Sequence, residues 1–238
     1  MDREKIIYGL VAFRRVIYRS LIAVAVVSLI SFLFSKKIAF LLIKHVDIKV
    51  YYFSLSEVFF STVELALYTA AFLSFPVILF FVWREMRPLF AGKQTSGYLF
   101  LFASIVLFYM GAAFCYLLAL PSGITFLVSY QGGPLKAMIS IQKFLFFCTA
   151  MIFAFSVAFE LPLVLLVLST FGVVTGRMLS RARRYAVLFI VIAAAVITPT
   201  PDVYNMSLLA VPLYLLYEIG IILIRIKESR KRKPSPAP

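Results

Sequence analysis

The chain has 238 residues, of which 63% are hydrophobic, 16% aromatic and only 14% charged, whereas soluble domains average about 45–50% apolar and about 25% charged. A soluble domain of this length could not bury so much apolar surface and still present a polar exterior, so the solvent is lipid. The formal net charge of +14 does not indicate nucleic acid, because the bases lie between apolar runs and not in one patch.

A helix rises about 1.5 Å per residue and the hydrocarbon core is about 30 Å thick, so a span takes about 20 residues and the chain has room for roughly six. The first span covers Val16 to Phe34; Arg19 near its start snorkels to the headgroups, and Lys36 and Lys37 close it. No small-residue cleavage site follows Leu21 to Phe34, so this run reads as a retained span and not a signal. The apolar piece Ile38 to Ile43 is too short to cross and sits among Lys36, Lys37, Lys44 and Lys49, which predicts a separate helix lying at the interface. A second span runs from Glu64 to Val82. Trp83 then belongs to the aromatic belt, and Arg84, Glu85, Arg87 and Lys93 form a charged loop broken by Pro88 and Gly92.

The third span starts near Tyr98 and ends at Pro121; the turn residues Gln131-Gly132-Gly133-Pro134 make the uncharged stretch to Leu135 one helix plus a loop. The fourth, Phe144 to Thr170, holds Glu160 in its interior, and Pro162 bends the helix there because its ring clashes and its N–H is missing. A charged loop with Arg177, Arg181, Arg183 and Arg184 follows. Spans five and six form a short hairpin, Tyr185 to Thr198 and Tyr204 to Ile224, turned by Pro199-Thr200-Pro201-Asp202. Its first arm, about 14 residues or about 21 Å, is shorter than the core, which predicts local thinning of the bilayer. The bases from Arg225 to Lys233 read as an anchor for topology and anionic lipids, and Pro234 to Pro238 as a disordered tail.

Counting bases gives orientation. The N-terminal segment and the segments 84–93, 177–184 and 225–233 hold 18 Lys and Arg, against six in 36–49 and 136–143. The positive-inside rule then places both termini in the cytoplasm. The sequence-level fold is an all-α polytopic membrane protein with six transmembrane helices, helices five and six short, as one domain over 1–224 with a basic cytoplasmic tail over 225–238.

An ionisable group within a span costs at least about 2.5–3.5 kcal/mol, which makes Glu160, Glu218 and Glu64 candidates either for function or for helix association through hydrogen bonds. Nucleophile elbow, zincin helix, phosphate loop and dinucleotide fingerprint are all missing from the sequence, so it reads as no enzyme and calls for no cofactor. The lone His45 makes no metal site. Cys115 and Cys148, both in apolar stretches, read as free thiols without a disulfide.

Several segments together resemble the TatC family, the membrane subunit of the twin-arginine protein translocase. They are Ser74-Phe75-Pro76-Val77-Ile78-Leu79, Trp83 with Pro88-Leu89-Phe90, Phe155-Ser156-Val157-Ala158-Phe159-Glu160-Leu161-Pro162, Arg183-Arg184-Tyr185, Thr198-Pro199-Thr200-Pro201-Asp202-Val203, and Leu209-Ala210-Val211-Pro212 with Tyr217-Glu218-Ile219-Gly220. The resemblance implies a glove-shaped, six-helix receptor in the bacterial inner membrane whose concave face contains Glu160. It further implies recognition of precursor signal peptides with paired arginines, oligomeric assembly with single-span TatA- and TatB-type subunits, contact with membrane lipids, and outward transport of folded proteins on the proton gradient. Signal-peptide or partner contacts are implied at Arg14, Trp83, Glu85, Pro88, Glu160 and Asp202.

The chain departs from the family pattern where the peptide binds. Family members carry an acid two residues ahead of the arginine in the N-terminal amphipathic segment, where Ala12 precedes Arg14. They carry an aromatic residue three before the loop proline, here Glu85, and an acid shortly after it, here Lys93 or Gln94. Two carboxylates able to pair with guanidinium groups are thereby absent, each worth about 1.5–3 kcal/mol. Glu85 is the only acid in this loop and the expected replacement. Two other readings fit the composition: a divergent paralogue serving as a membrane scaffold, and a small-solute secondary transporter. The latter ordinarily shows related halves with interrupted helices, and no such repeat is evident.

Overall fold

The computed structural model describes residues 3–46, 48–86, 94–129, 138–197 and 203–232. The described residues are helical nearly throughout: α1 (Arg3–Val46), α2 (Leu55–Met86), α3 (Gln94–Phe114), a π-helical segment (Cys115–Ala119), α4 (Leu120–Ser129), α5 (Ile141–Ala158), α6 (Leu161–Thr170), α7 (Gly176–Arg181), α8 (Arg183–Ile197) and α9 (Val203–Arg232). Two short strands, β1 (Val50–Tyr51) and β2 (Ile139–Ser140), pair in parallel with Val50 opposite Ile139. Among the described residues five helical stretches are long and apolar enough to cross a membrane: Arg14–Val46, Ser56–Arg84, Tyr98–Thr125, Ile141–Thr170 and Met206–Ser229. The fifth expected span, α8, has only 15 residues, or about 22 Å, in keeping with the short first arm of the hairpin.

The chain forms two compact units, one of residues 1–106 with 124–153, the other of 107–123 with 154–238. In the first unit α1 packs along α2. The buried face of α1 is Ser31, Ser35, Ala39 and Leu42, and that of α2 is Ser61, Leu65, Ala66, Ala70 and Ser74. Spacings of three and four, with Leu65 and Ala66 adjacent, keep these residues on one face, and the serines and alanines among them let the two backbones approach, as lipid-embedded helices require. The hydroxyls of Ser35 and Ser61 donate back to the carbonyls of Phe32 and Val58, three residues earlier. Leu21, Leu29, Leu33 and Phe40 are exposed, as suits residues facing lipid.

Four boundaries differ from the sequence-based expectation. Residues 38–43 form no separate interfacial helix but continue α1 to Val46. Nothing there breaks a helix: Ala39 and Leu42 extend the buried face, while Lys36 and Lys37 remain exposed. Helix α2 begins at Leu55, nine residues before Glu64, so Glu64 is half-buried within it and does not start it. The third span runs past Pro121 to Ser129. Pro121 cannot donate to the carbonyl four residues back, and the preceding turn widens so that Leu120 N–H reaches Cys115 O. Finally, α9 has 30 residues and is not short. Its charged end continues as helix because the second unit holds it: Arg225 donates to Ser180 Oγ (2.7 Å), Lys227 to Thr170 Oγ1, and Glu228 Oε1 accepts Gly176 N–H (3.0 Å). Cys115 and Cys148 are buried free thiols.

Candidate functional site

The fourth span is broken where Glu160 lies. Helix α5 ends at Ala158, Phe159 and Glu160 form a turn, and α6 starts at Leu161 with Pro162 in its first turn. Pro162 lacks the N–H that would continue the ladder, so the backbone tightens: Glu160 N–H reaches only to Val157 O (3.1 Å). The carbonyl of Glu160 then accepts from both Leu163 and Val164 N–H at 3.0 Å, satisfying donors at the start of α6. Because the backbone does this, the Glu160 carboxylate makes no side-chain cap. It is 9% exposed, beside buried Phe159, Pro162 and Leu163. A carboxyl group costs several kcal/mol in such surroundings unless it is protonated or engaged.

Helix α6 ends in a Schellman turn: Gly172 adopts φ +77°, Val173 N–H reaches Leu168 O (3.0 Å) and Gly172 N–H reaches Ser169 O (3.2 Å). Thr175 then caps α7, its hydroxyl accepting Met178 N–H (3.2 Å). Glu218, the second acid candidate, is a structural group. Arg183 grips it with two bonds, Nε to Oε1 at 2.7 Å and Nη2 to Oε2 at 2.8 Å, and Tyr214 Oη donates to Oε1 at 3.0 Å. Tyr217 Oη donates to Leu179 O (2.9 Å), tying α9 to α7.

In the first unit Arg14 is exposed on α1. Trp83, half-buried on α2, has ring centroids of Tyr98 and Phe80 at 4.8 and 6.5 Å. Glu85 lies on the last turn of α2; Pro88 and Asp202 fall outside the described residues. An acid that the sequence reading passed over is Glu57. Its Oε2 accepts Phe53 N–H (2.7 Å), its Oε1 accepts the Ser140 hydroxyl, and its own N–H donates to Ser54 Oγ (3.2 Å). Ser140 in turn accepts Lys143 N–H (3.3 Å) at the start of α5. Glu57 thus joins the starts of α2 and α5 beside an open cavity of about 490 Å³ lined by Phe53, Ser56, Phe60, Met138 and Gln142 among others. Ser54-x-x-Glu57 has the spacing of a capping box, the signal that marks this helix start in the sequence.

Residues 9–212 match the family model of the Sec-independent protein translocase protein TatC. The chain belongs to the TatC family. A TatC of Akkermansia muciniphila is 41% identical over 184 residues, covering 75% of this chain and 52% of its own length. That of Deinococcus radiodurans is 36% identical, covering 73% and 66%, and that of Aquifex aeolicus 31% identical, covering 87% and 92%. The chain therefore spans about half the length of the Akkermansia relative and two-thirds of the Deinococcus one. A crystal structure of the twin-arginine translocase receptor TatC is similar with a TM-score of 0.80 at 31% identity, covering 92% of this chain and 99% of that one. A second, in a detergent, gives 0.81. The matched names are those of a protein translocase protein and not of a solute transporter.

Proposed function

We propose that this TatC-family chain is the core receptor of a twin-arginine translocase in the bacterial cytoplasmic membrane. It spans six times with both termini inside, α8 being the short additional span, as one membrane domain over 1–224 followed by a basic tail. It binds precursor signal peptides bearing paired arginines, assembles in several copies with single-span TatA- and TatB-type subunits, and supports outward passage of folded proteins on the proton gradient. The observation that carries this reading is the match of residues 9–212 to the TatC family model, with Glu160 buried at the break in the fourth span that the resemblance singles out.

Signal-peptide recognition falls to the cytoplasmic face with Arg14, Trp83, Glu85, Pro88 and, by resemblance, Asp202. Glu85 supplies the anionic charge that Ala12, Lys93 and Gln94 do not. The test is replacement of a bacterium's own TatC by this chain, with export of a folded fluorescent protein behind a twin-arginine or a twin-lysine signal. Export with paired arginines, lost on Glu160→Gln and reduced about tenfold on Glu85→Gln, is the expected result. Normal export by Glu85→Gln removes that residue from recognition. Failure of the unaltered chain to export or bind an arginine-bearing precursor, while its assembly in the membrane is intact, would leave the scaffold reading, which the missing acids favour.

A further inference from the structure

The break at Glu160 is met by two glycines from other helices, one on each side of it along the chain. On α3, a Cβ built on Gly111 would stand 2.7 Å from the carbonyl oxygen of Phe155 and 2.9 Å from Cβ and Cγ of Phe159. Phe114, one turn on, places its ring 5.8 Å from that of Phe155 and 5.7 Å from that of Phe159. On α9, a Cβ on Gly220 would stand 2.9 Å from Leu165 Cδ1 and 3.3 Å from Pro162 Cα. Real Cβ atoms essentially never come within 3.0 Å of such neighbours and rarely within 3.4 Å, so the α3 backbone lies directly against the end of α5 and the α9 backbone close against the start of α6. Between these two contacts lie only the turn residues and Pro162's first turn.

We infer that Gly111 and Gly220 are positioning residues that hold the two sides of the Phe159–Glu160 turn, Gly111 of α3 against Phe155 and Phe159 and Gly220 of α9 against Pro162 and Leu165, and so fix where the Glu160 carboxylate is presented. The inference rests on the reading of Glu160 as the group that meets the incoming chain. The two glycines differ in what a methyl group would meet. At Gly111 it meets backbone, which cannot withdraw without moving the turn itself. At Gly220 the nearer atom is the end of a flexible leucine, which yields at a smaller cost. Both differ from Gly172, whose added Cβ would have nothing within 4 Å and whose requirement is its positive φ.

The experiment uses the full-length chain in cells lacking their own TatC, and a twin-arginine precursor with a photoreactive group in its signal peptide. Membrane abundance, export rate and adduct yield are read for each variant. Gly111→Ala should reduce export and adduct yield about tenfold at normal abundance, and Gly220→Ala by about threefold, the scale on which overpacked sites shift. Adding Leu165→Ala to Gly220→Ala should restore both readouts, because it removes the atom at 2.9 Å. Gly172→Ala should leave export per molecule unchanged. Wild-type export by Gly111→Ala, or failure of Leu165→Ala to rescue Gly220→Ala, would overturn the inference. Should Gly111→Ala fail to accumulate, the Gly220→Ala and Leu165→Ala pair decides alone. Normal export by Glu160→Gln would instead overturn the reading of Glu160 on which this one rests, so the two failures are told apart.

Discussion

Glu160 and Glu57 are both 9% exposed, and each stands at the start of a helix. Glu57 is consumed by structure: its two oxygens and its N–H engage Phe53, Ser140 and Ser54 at the starts of two helices. Glu57→Ala removes the two carboxylate bonds, leaving the Phe53 N–H without its acceptor, while the backbone bond to Ser54 stays. The expected result is a thermal midpoint lower by about 5 °C in detergent, with twin-arginine precursor binding at permissive temperature unaltered. An unchanged midpoint would mean that the connection between α2 and α5 rests on β1, β2 and apolar packing alone. Glu160, by contrast, leaves capping to its own carbonyl. Its position is conspicuous in the sequence, since an acid in an apolar run stands out before any fold is known. Glu57 is less legible, because hydropathy starts the span at Glu64, the next acid along, although Ser54-x-x-Glu57 announces a helix start.

At the scale of elements, hydropathy located the helices but not their ends. A run of lysines ends a hydrophobic window without ending a helix, as Lys36 and Lys37 do within α1, because their long side chains reach water while the buried face continues through Ala39 and Leu42. Proline acted in two ways. Pro162 opens a break, whereas Pro121 is absorbed by a widened turn and Pro76 by uninterrupted α2. One-dimensional pattern cannot distinguish these, because neighbouring packing decides whether a freed carbonyl is tolerated. The charged loop between spans four and five concealed α7, a single capped turn pinned by α9. The short α8 depends on Arg183 and Glu218 to fix its start against α9. Reversing either charge, Arg183→Glu or Glu218→Arg, should lower membrane abundance several-fold, and combining the two should restore more than half of it. Abundance of the double variant no better than the singles would show that the pair's geometry cannot be exchanged and that Tyr214 is needed as a third member.

For the whole molecule, composition fixed the solvent and the bases fixed a predicted orientation, while the acids pose the functional question. Eighteen of 24 Lys and Arg fall on the side assigned to the cytoplasm. Assignment to the TatC family rests on residues 9–212, nearly the whole of the membrane-embedded sequence, and on structural similarity at 31% identity. Two carboxylates of the family pattern are missing at Ala12 and at Lys93 or Gln94, so twin-arginine recognition is the property that family membership least guarantees for this chain. The most direct measurement is photo-crosslinking in inverted membrane vesicles containing the full-length chain, with matched precursors bearing paired arginines or paired lysines. An adduct with the arginine precursor is expected, weakened at least about tenfold for the lysine precursor. Equal adducts from both precursors, or none from either, would contradict twin-arginine recognition.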